Sequence, residues 1–146
     1  MKKLTKKAED MTLKELAAYI DYNVLKPEFT PEQIIKLTKD GVKLGCATIC
    51  INPGYMDLCE PYVKGSETKL CPVTDFPFGT SSTASKVQQI EMVAKYDTVG
   101  EVDVVANFGK IRAGLYDEVT ADIKACADAA HKYGRELKVI FETDAL

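Results

Sequence analysis

Two short apolar runs carry charges where charge is expensive. Glu101-Val102-Asp103-Val104-Val105 sets carboxylates at alternate positions, and Leu137-Lys138-Val139-Ile140-Phe141 sets one amine among aliphatic and aromatic neighbours. Successive side chains of a strand point to opposite faces. Glu101 and Asp103 therefore share a face, and Lys138 lies opposite Leu137, Val139 and Phe141, with Glu142 on its own side. If residues 20–25 also form a strand, Asp21 and Asn23 share a face; in residues 47–52 Thr48, Cys50 and Asn52 do so, with Ile49 and Ile51 behind them. A pocket that holds Asp103 and Lys138 can pair them as a structural ion pair, or perturb their acidity enough for acid–base chemistry at a carbonyl. Both readings are open at this level.

Other reactive side chains point less clearly to chemistry. Cys50 is a possible nucleophile, but no histidine lies near it to activate it, and a structural thiol is the better reading. Cys46, Cys50, Cys59, Cys71 and Cys126 form an odd set without a CxxC pair, and His131 is the one histidine. Neither a zinc site nor a disulfide framework is expected, and the thiols read as reduced and mostly buried. His131 reads as a solvated residue near a helix end. Residues 76–83, just ahead of a helix, could offer backbone N–H groups to a phosphate. Ordinary capping by Ser81 or Ser82 accounts for the same residues.

Strands alternating with helices must position these groups. Thr12 and Glu15 have capping-box spacing ahead of Leu13, Leu16, Ala17 and Ile20, and Thr30, Pro31 and Gln33 repeat the signal ahead of a helix expected to stop near Gly41. Helical periodicity recurs in residues 82–96 and 116–133, and strands are expected at 47–52, 70–76, 101–106 and 137–143. This alternation implies parallel βαβ units. A barrel of such units gathers polar groups at the carboxyl ends of its strands.

Composition narrows the function classes. With 146 residues, 46% hydrophobic and 28% charged, one domain is expected. Nineteen Lys and Arg against 22 Asp and Glu give a net charge of −3, which supplies no basis for nucleic acid or an anionic membrane as partner. No apolar run approaches the roughly 20 residues of a membrane span. The Lys-rich start runs into Glu9 and Asp10, not an apolar signal core, so the expected location is cytoplasmic.

Five segments carry a resemblance. Ile20-Asp21-Tyr22-Asn23-Val24-Leu25-Lys26-Pro27, Ile49-Cys50-Ile51-Asn52-Pro53, Asp75-Phe76-Pro77-Phe78-Gly79, the Glu101–Val105 run and Leu137-Lys138-Val139-Ile140-Phe141-Glu142-Thr143 resemble, in order and spacing, the first five strands of the deoxyribose-phosphate aldolase family. The resemblance implies a class I aldolase on a TIM barrel. Such an enzyme cleaves 2-deoxyribose 5-phosphate to acetaldehyde and glyceraldehyde 3-phosphate through a lysine Schiff base, with no metal or cofactor. It implies that Asp103 helps move protons and that Asp21, Cys50 and Lys138 line the substrate site.

There are departures. The family's Schiff-base lysine lies on strand six, its partner lysine on strand seven, and its phosphate-binding loops follow strands seven and eight; none has a match in these 146 residues. Tyr22-Asn23 stands where the family commonly has His-Thr, and Thr98-Val99-Gly100 where it has Gly-Ala-Asp. The expected fold is thus a truncated TIM-type (βα) barrel, a single partial-barrel domain over residues 1–146. It has five parallel strands in order, a leading helix and four crossover helices. The alternative is an open flavodoxin-like sheet. The expected function is that of an aldolase-like protein inactive by itself. The alternatives are a self-assembling structural or binding module, and a small enzyme that uses Lys138 as substitute amine. Expected partners are a second copy of the chain or a complementing C-terminal barrel fragment, with a small phosphorylated sugar as substrate if active.

Overall fold

The structure, a computed structural model, describes residues 6–146. Five parallel strands follow one another in a single sheet in chain order, β1-β2-β3-β4-β5. This sequential order excludes the flavodoxin-like arrangement, in which the second strand lies outside the first. By its internal contacts the chain divides into two compact units, Met1–Cys71 and Pro72–Leu146, with the boundary inside β3 (Lys69–Thr74). No helix among the described residues is long and apolar enough to cross a membrane.

In the first unit both expected capping boxes form. Thr12 and Glu15 open α1 (Leu13–Ala17), and Thr30 and Gln33 open α2 (Pro31–Leu44) with Pro31 in the first turn. The apolar stripe expected on α1 is mostly exposed: the helix ends at Ala17, which is buried, while Leu13, Leu16 and Ile20 face solvent. The expected stop of α2 at Gly41 is also displaced. α2 continues to Leu44, and Gly45, at φ 76°, closes it with the left-handed turn that suits glycine. Gly41 serves packing instead: a Cβ there would collide with Cδ1 of Ile49 and press on the Tyr22 ring. β1 (Asp21–Val24) and β2 (Thr48–Ile51) pair in parallel, with Asp21 opposite Thr48 and Asn23 opposite Cys50. The crossover after β2 is α3 (Met56–Val63), which buries Met56, Cys59 and Val63 and contains Pro61. Parallel pairing demands a crossover there, but eight residues interrupted by proline carry too weak a periodicity to place it beforehand.

In the second unit β3 gives way to α4 (Thr83–Ala94), whose first turn is capped by Ser82. β4 (Glu101–Val105) pairs with β3 through Val73 opposite Asp103 and Thr74 opposite Val104. A short helix absent from the sequence reading, α5 (Phe108–Arg112), is capped by Asn107 ahead of α6 (Tyr116–His131). β5 (Glu136–Ile140) pairs along the whole of β4, from Glu101 opposite Glu136 to Val105 opposite Ile140. Ile90, Val93, Val102, Val104, Val119 and Ala130 are buried core residues of this unit. Arg135 closes the carboxyl end of α4 by donating to the carbonyls of Ala94 and Tyr96, each at 3.0 Å. β5 stops before the expected 143. Glu142 turns to φ 55°, so strand parity no longer places it on the Lys138 face.

Because Gly41 lies against Ile49 and Tyr22, Gly41→Ala is expected to lower stability by about 2 kcal/mol through overpacking. Thr30→Ala, which removes only a cap, should cost about 1 kcal/mol. Urea unfolding of the two variants gives the ranking, and a Gly41→Ala midpoint equal to the parent's would show that the neighbours yield freely.

Candidate active site

Parity put Asp103 and Lys138 on one face, and the β4–β5 register makes them direct neighbours. Lys138 Nζ stands 3.2 Å from Asp103 Oδ1 and 3.0 Å from Glu101 Oε2. The Lys138 side chain keeps a quarter of its exposure and that of Asp103 13%, with the Asp103 oxygen that faces the amine buried, so the cluster is recessed and partly open. Glu101 is the member that sequence reasoning left unassigned to Lys138. Its signal was the i, i+2 spacing with Asp103, which lets both carboxylates converge on one long side chain from the next strand. The Asp103 backbone carbonyl accepts from Thr74 Oγ1 at 2.9 Å, which ties this segment of β4 to β3.

In the first unit the expected polar strand face is present. Asp21 Oδ1 accepts from Thr48 Oγ1 at 2.6 Å, across the register that pairs the two residues. Asn23 Oδ1 accepts from the Leu25 N–H, while Asn52 Nδ2 donates to the Leu25 carbonyl, both at 3.0 Å. These bonds set the chain as it leaves β1. Cys50 lies beside Asn23 in the adjoining strand and is 6% exposed.

All five cysteines are buried free thiols. Burial pushes the Cys46 and Cys59 thiols up from their ordinary range, and burial with the Asp122 charge pushes Cys126 up to about 11. These three are poor nucleophiles at neutral pH. His131 is exposed at the end of α6, as expected. The loop over residues 76–83 departs from a phosphate cradle. The Ser81 N–H and hydroxyl both donate to the Asp75 carboxylate, at 3.0 and 2.6 Å, and Ser82 caps α4. An incoming anion would meet occupied donors and a carboxylate, so the capping reading holds for Ser82.

No protein-family model matches the chain. A deoxyribose-phosphate aldolase of Clostridium kluyveri is 40% identical over 135 residues, which are 91% of this chain and 60% of that protein. One from Desulfitobacterium hafniense is 38% identical over 136 residues, 93% of this chain and 62% of that protein. The chain is similar to these deoxyribose-phosphate aldolases over about nine-tenths of its own length. It spans about three-fifths of the length of these curated relatives. A solved structure from Coccidioides immitis, described as a deoxyribose-phosphate aldolase, matches 93% of this chain and 53% of its own. Its TM-score is 0.85 at 31% identity. The deoxyribose phosphate aldolase of Aeropyrum pernix, described as having a unique tetrameric structure, matches 92% of the chain and 56% of its own, with a TM-score of 0.80 at 25% identity. The five strands with their helices are accordingly a partial TIM-type barrel.

If the Lys138 amine balances the two β4 carboxylates, Lys138→Met leaves Asp103 and Glu101 facing each other without a cation. The expected loss is about 2 kcal/mol, below the value for a fully buried pair because the group is partly solvated. Glu101→Gln, which leaves the Asp103 contact in place, should cost less than 1 kcal/mol. Urea melts read both; a Lys138→Met variant as stable as its parent would remove the pair from the account of stability.

Proposed function

We propose that these residues supply the first five strands' share of a deoxyribose-phosphate aldolase site, with Asp103 as the group that moves protons and with Asp21, Cys50 and Lys138 lining the sugar-phosphate pocket. The observation that carries the reading is the 3.2 Å contact of Asp103 with Lys138 on paired strands, with Glu101 completing the cluster. A retro-aldol reaction through an imine needs protons delivered at carbinolamine dehydration and again when the enamine is quenched. A carboxylate beside an amine, in a partly open cluster, can serve both steps. On this reading the imine-forming amine comes from a sixth strand, so turnover requires strands six to eight, in the same polypeptide or in another. Residues 1–146 by themselves are inactive. The rival in which Lys138 forms the imine is weaker, because its amine is engaged by two carboxylates.

Self-association belongs to the same proposal. β1 and β5 stand at the two ends of the strand order, each with one neighbour in the sheet. Edge strands present unpaired backbone groups that invite pairing unless covered. The tetramer described for the Aeropyrum pernix relative supports assembly as a habit of the family. A homo-oligomer, most simply a dimer, is the expected state, in a reducing cytoplasm that suits five free thiols.

The decisive assay is cleavage of 2-deoxyribose 5-phosphate by the purified 146-residue chain, alone and mixed with a polypeptide carrying strands six to eight of the Clostridium kluyveri relative. Activity at background alone, restored on mixing and then lowered about 100-fold by Asp103→Asn, is the expected pattern. Turnover by the chain alone, with a borohydride-trapped acetaldehyde adduct on Lys138, would overturn the assignment of the imine to another strand. Light scattering at micromolar concentration is expected to give at least a dimer; a well-folded monomer counts against the assembly reading.

A further inference from the structure

Lys86 lies in the first turns of α4 and is fully removed from solvent, an uncommon place for an amine. Its Nζ contacts three separate parts of the second unit. It is 2.7 Å from Asp122 Oδ2 on α6, 3.7 Å from Asp75 Oδ2 just after β3, and donates to the Val105 carbonyl at the end of β4 at 3.0 Å. Both carboxylates are themselves held. Thr83 Oγ1 donates to Asp122 Oδ1 at 2.6 Å, and Asp75 takes the two bonds from Ser81. Sequence alone gives no hint of this, since Lys86 and Asp122 are 36 residues apart on two helices.

The Val105 contact falls where the sheet stops supplying donors. β3 last pairs with β4 at Thr74 opposite Val104; the chain then turns away at Asp75, φ 49°, and Pro77 has no N–H to give. The Ala106 N–H donates to the Ile140 carbonyl, so the main chain of Ala106 faces β5 and that of Val105, one residue earlier, faces the β3 side. The Lys86 amine therefore takes the place of the missing ladder donor at the end of β4. Gly79 packs so close to the same strand end that a Cβ there would collide with the Ala106 carbonyl oxygen. Asp103 projects from β4 two residues before Val105, and its own carbonyl is tied to Thr74 Oγ1. Two side-chain donors, Thr74 and Lys86, thus hold the β3-facing carbonyls of the segment that carries Asp103.

We propose that Lys86 is a positioning residue. Anchored by Asp122 and Asp75, it fixes the carboxyl end of β4 and so holds the Asp103 carboxylate against Lys138. This rests on the reading of Asp103 as the proton-moving group, because proton transfer demands hydrogen-bond geometry that a frayed strand end would lose. It also gives the buried amine a reason that stability does not supply, since a buried ion pair is seldom more stabilising than apolar packing of similar volume.

The test is the side-chain carboxylate ¹³C resonance of Asp103 at pH 7 in the 146-residue chain. It is compared among the parent, Lys138→Met and the double variant Lys86→Met/Asp122→Leu, which removes the amine together with its nearest carboxylate. The double variant is expected to keep its helical circular dichroism while the Asp103 resonance moves at least half-way from its parent value to its value in Lys138→Met. A resonance that stays at the parent value while the Val105 carbonyl resonance shows loss of its hydrogen bond would overturn the proposal. If the double variant does not fold, Asp122→Asn is read in the same way: a displaced Asp103 signal supports the coupling and an unmoved one rejects it. No turnover is needed, so an unmoved signal rejects the positioning role alone. A failed reconstitution of aldolase activity with the coupling intact rejects the functional reading instead.

Discussion

The parallel ladder between β4 and β5 is the constraint on which the candidate site depends. Full register, from Glu101 opposite Glu136 to Val105 opposite Ile140, decides that Asp103 meets Lys138. A slip of one residue would turn the amine to the opposite face, where Val102 and Val104 are buried. The core and the polar cluster therefore enforce the same register. Apolar residues on one face reject a slip because it would bury a lysine, and carboxylates on the other reward the observed pairing. β4, with Val102, Val104 and Val105 at most 1% exposed, is the fixed side of this arrangement, and β5, half-buried along most of its length, is laid against it.

The second unit handles buried charge in the same way twice. Lys138 meets two carboxylates from one strand, and Lys86 meets two from different elements. The first cluster is recessed but keeps part of its side-chain surface exposed. The second is sealed, and its amine also satisfies a main-chain carbonyl, which suits a fixed joint. Placement of the Lys86 amine near the start of α4 runs against the helix dipole, so its carboxylate partners offset both desolvation and the field of the helix. The turn of Asp75 out of β3 and the close seat of Gly79 against β4 belong to the same joint.

A match to about three-fifths of the length of curated deoxyribose-phosphate aldolases gives these observations their chemical direction. A parallel barrel keeps its reactive groups at and beyond the carboxyl ends of its strands. In the first unit the Asp21–Thr48 bond and the Asn23 and Asn52 contacts with Leu25 hold that face by short local ties. Closing a parallel barrel takes eight strands.

What the sequence determined by itself was set by short-range rules. The Thr12 and Thr30 capping boxes, the strand positions and the pairing face of Asp103 and Lys138 follow from spacings of two to four residues, and five ordered motifs pointed to the family. The stop at Gly41 was misread because a glycine needed for close packing looks the same in sequence as one needed for a left-handed turn, which is the role of Gly45. α3 was expected only as a crossover without a position, and α5 not at all, because eight and five residues are too few to establish a helical period. Glu142 was assigned to the Lys138 face because parity holds only while the strand lasts, and the strand ends at Ile140. Only the tertiary structure decided that Glu101 shares the Lys138 amine, that Ser81 is consumed by Asp75, and that Lys86 joins α4, α6 and the end of β4. Each of these contacts is fixed by where elements pack in space, and no local spacing encodes the meeting of side chains that lie several to dozens of residues apart.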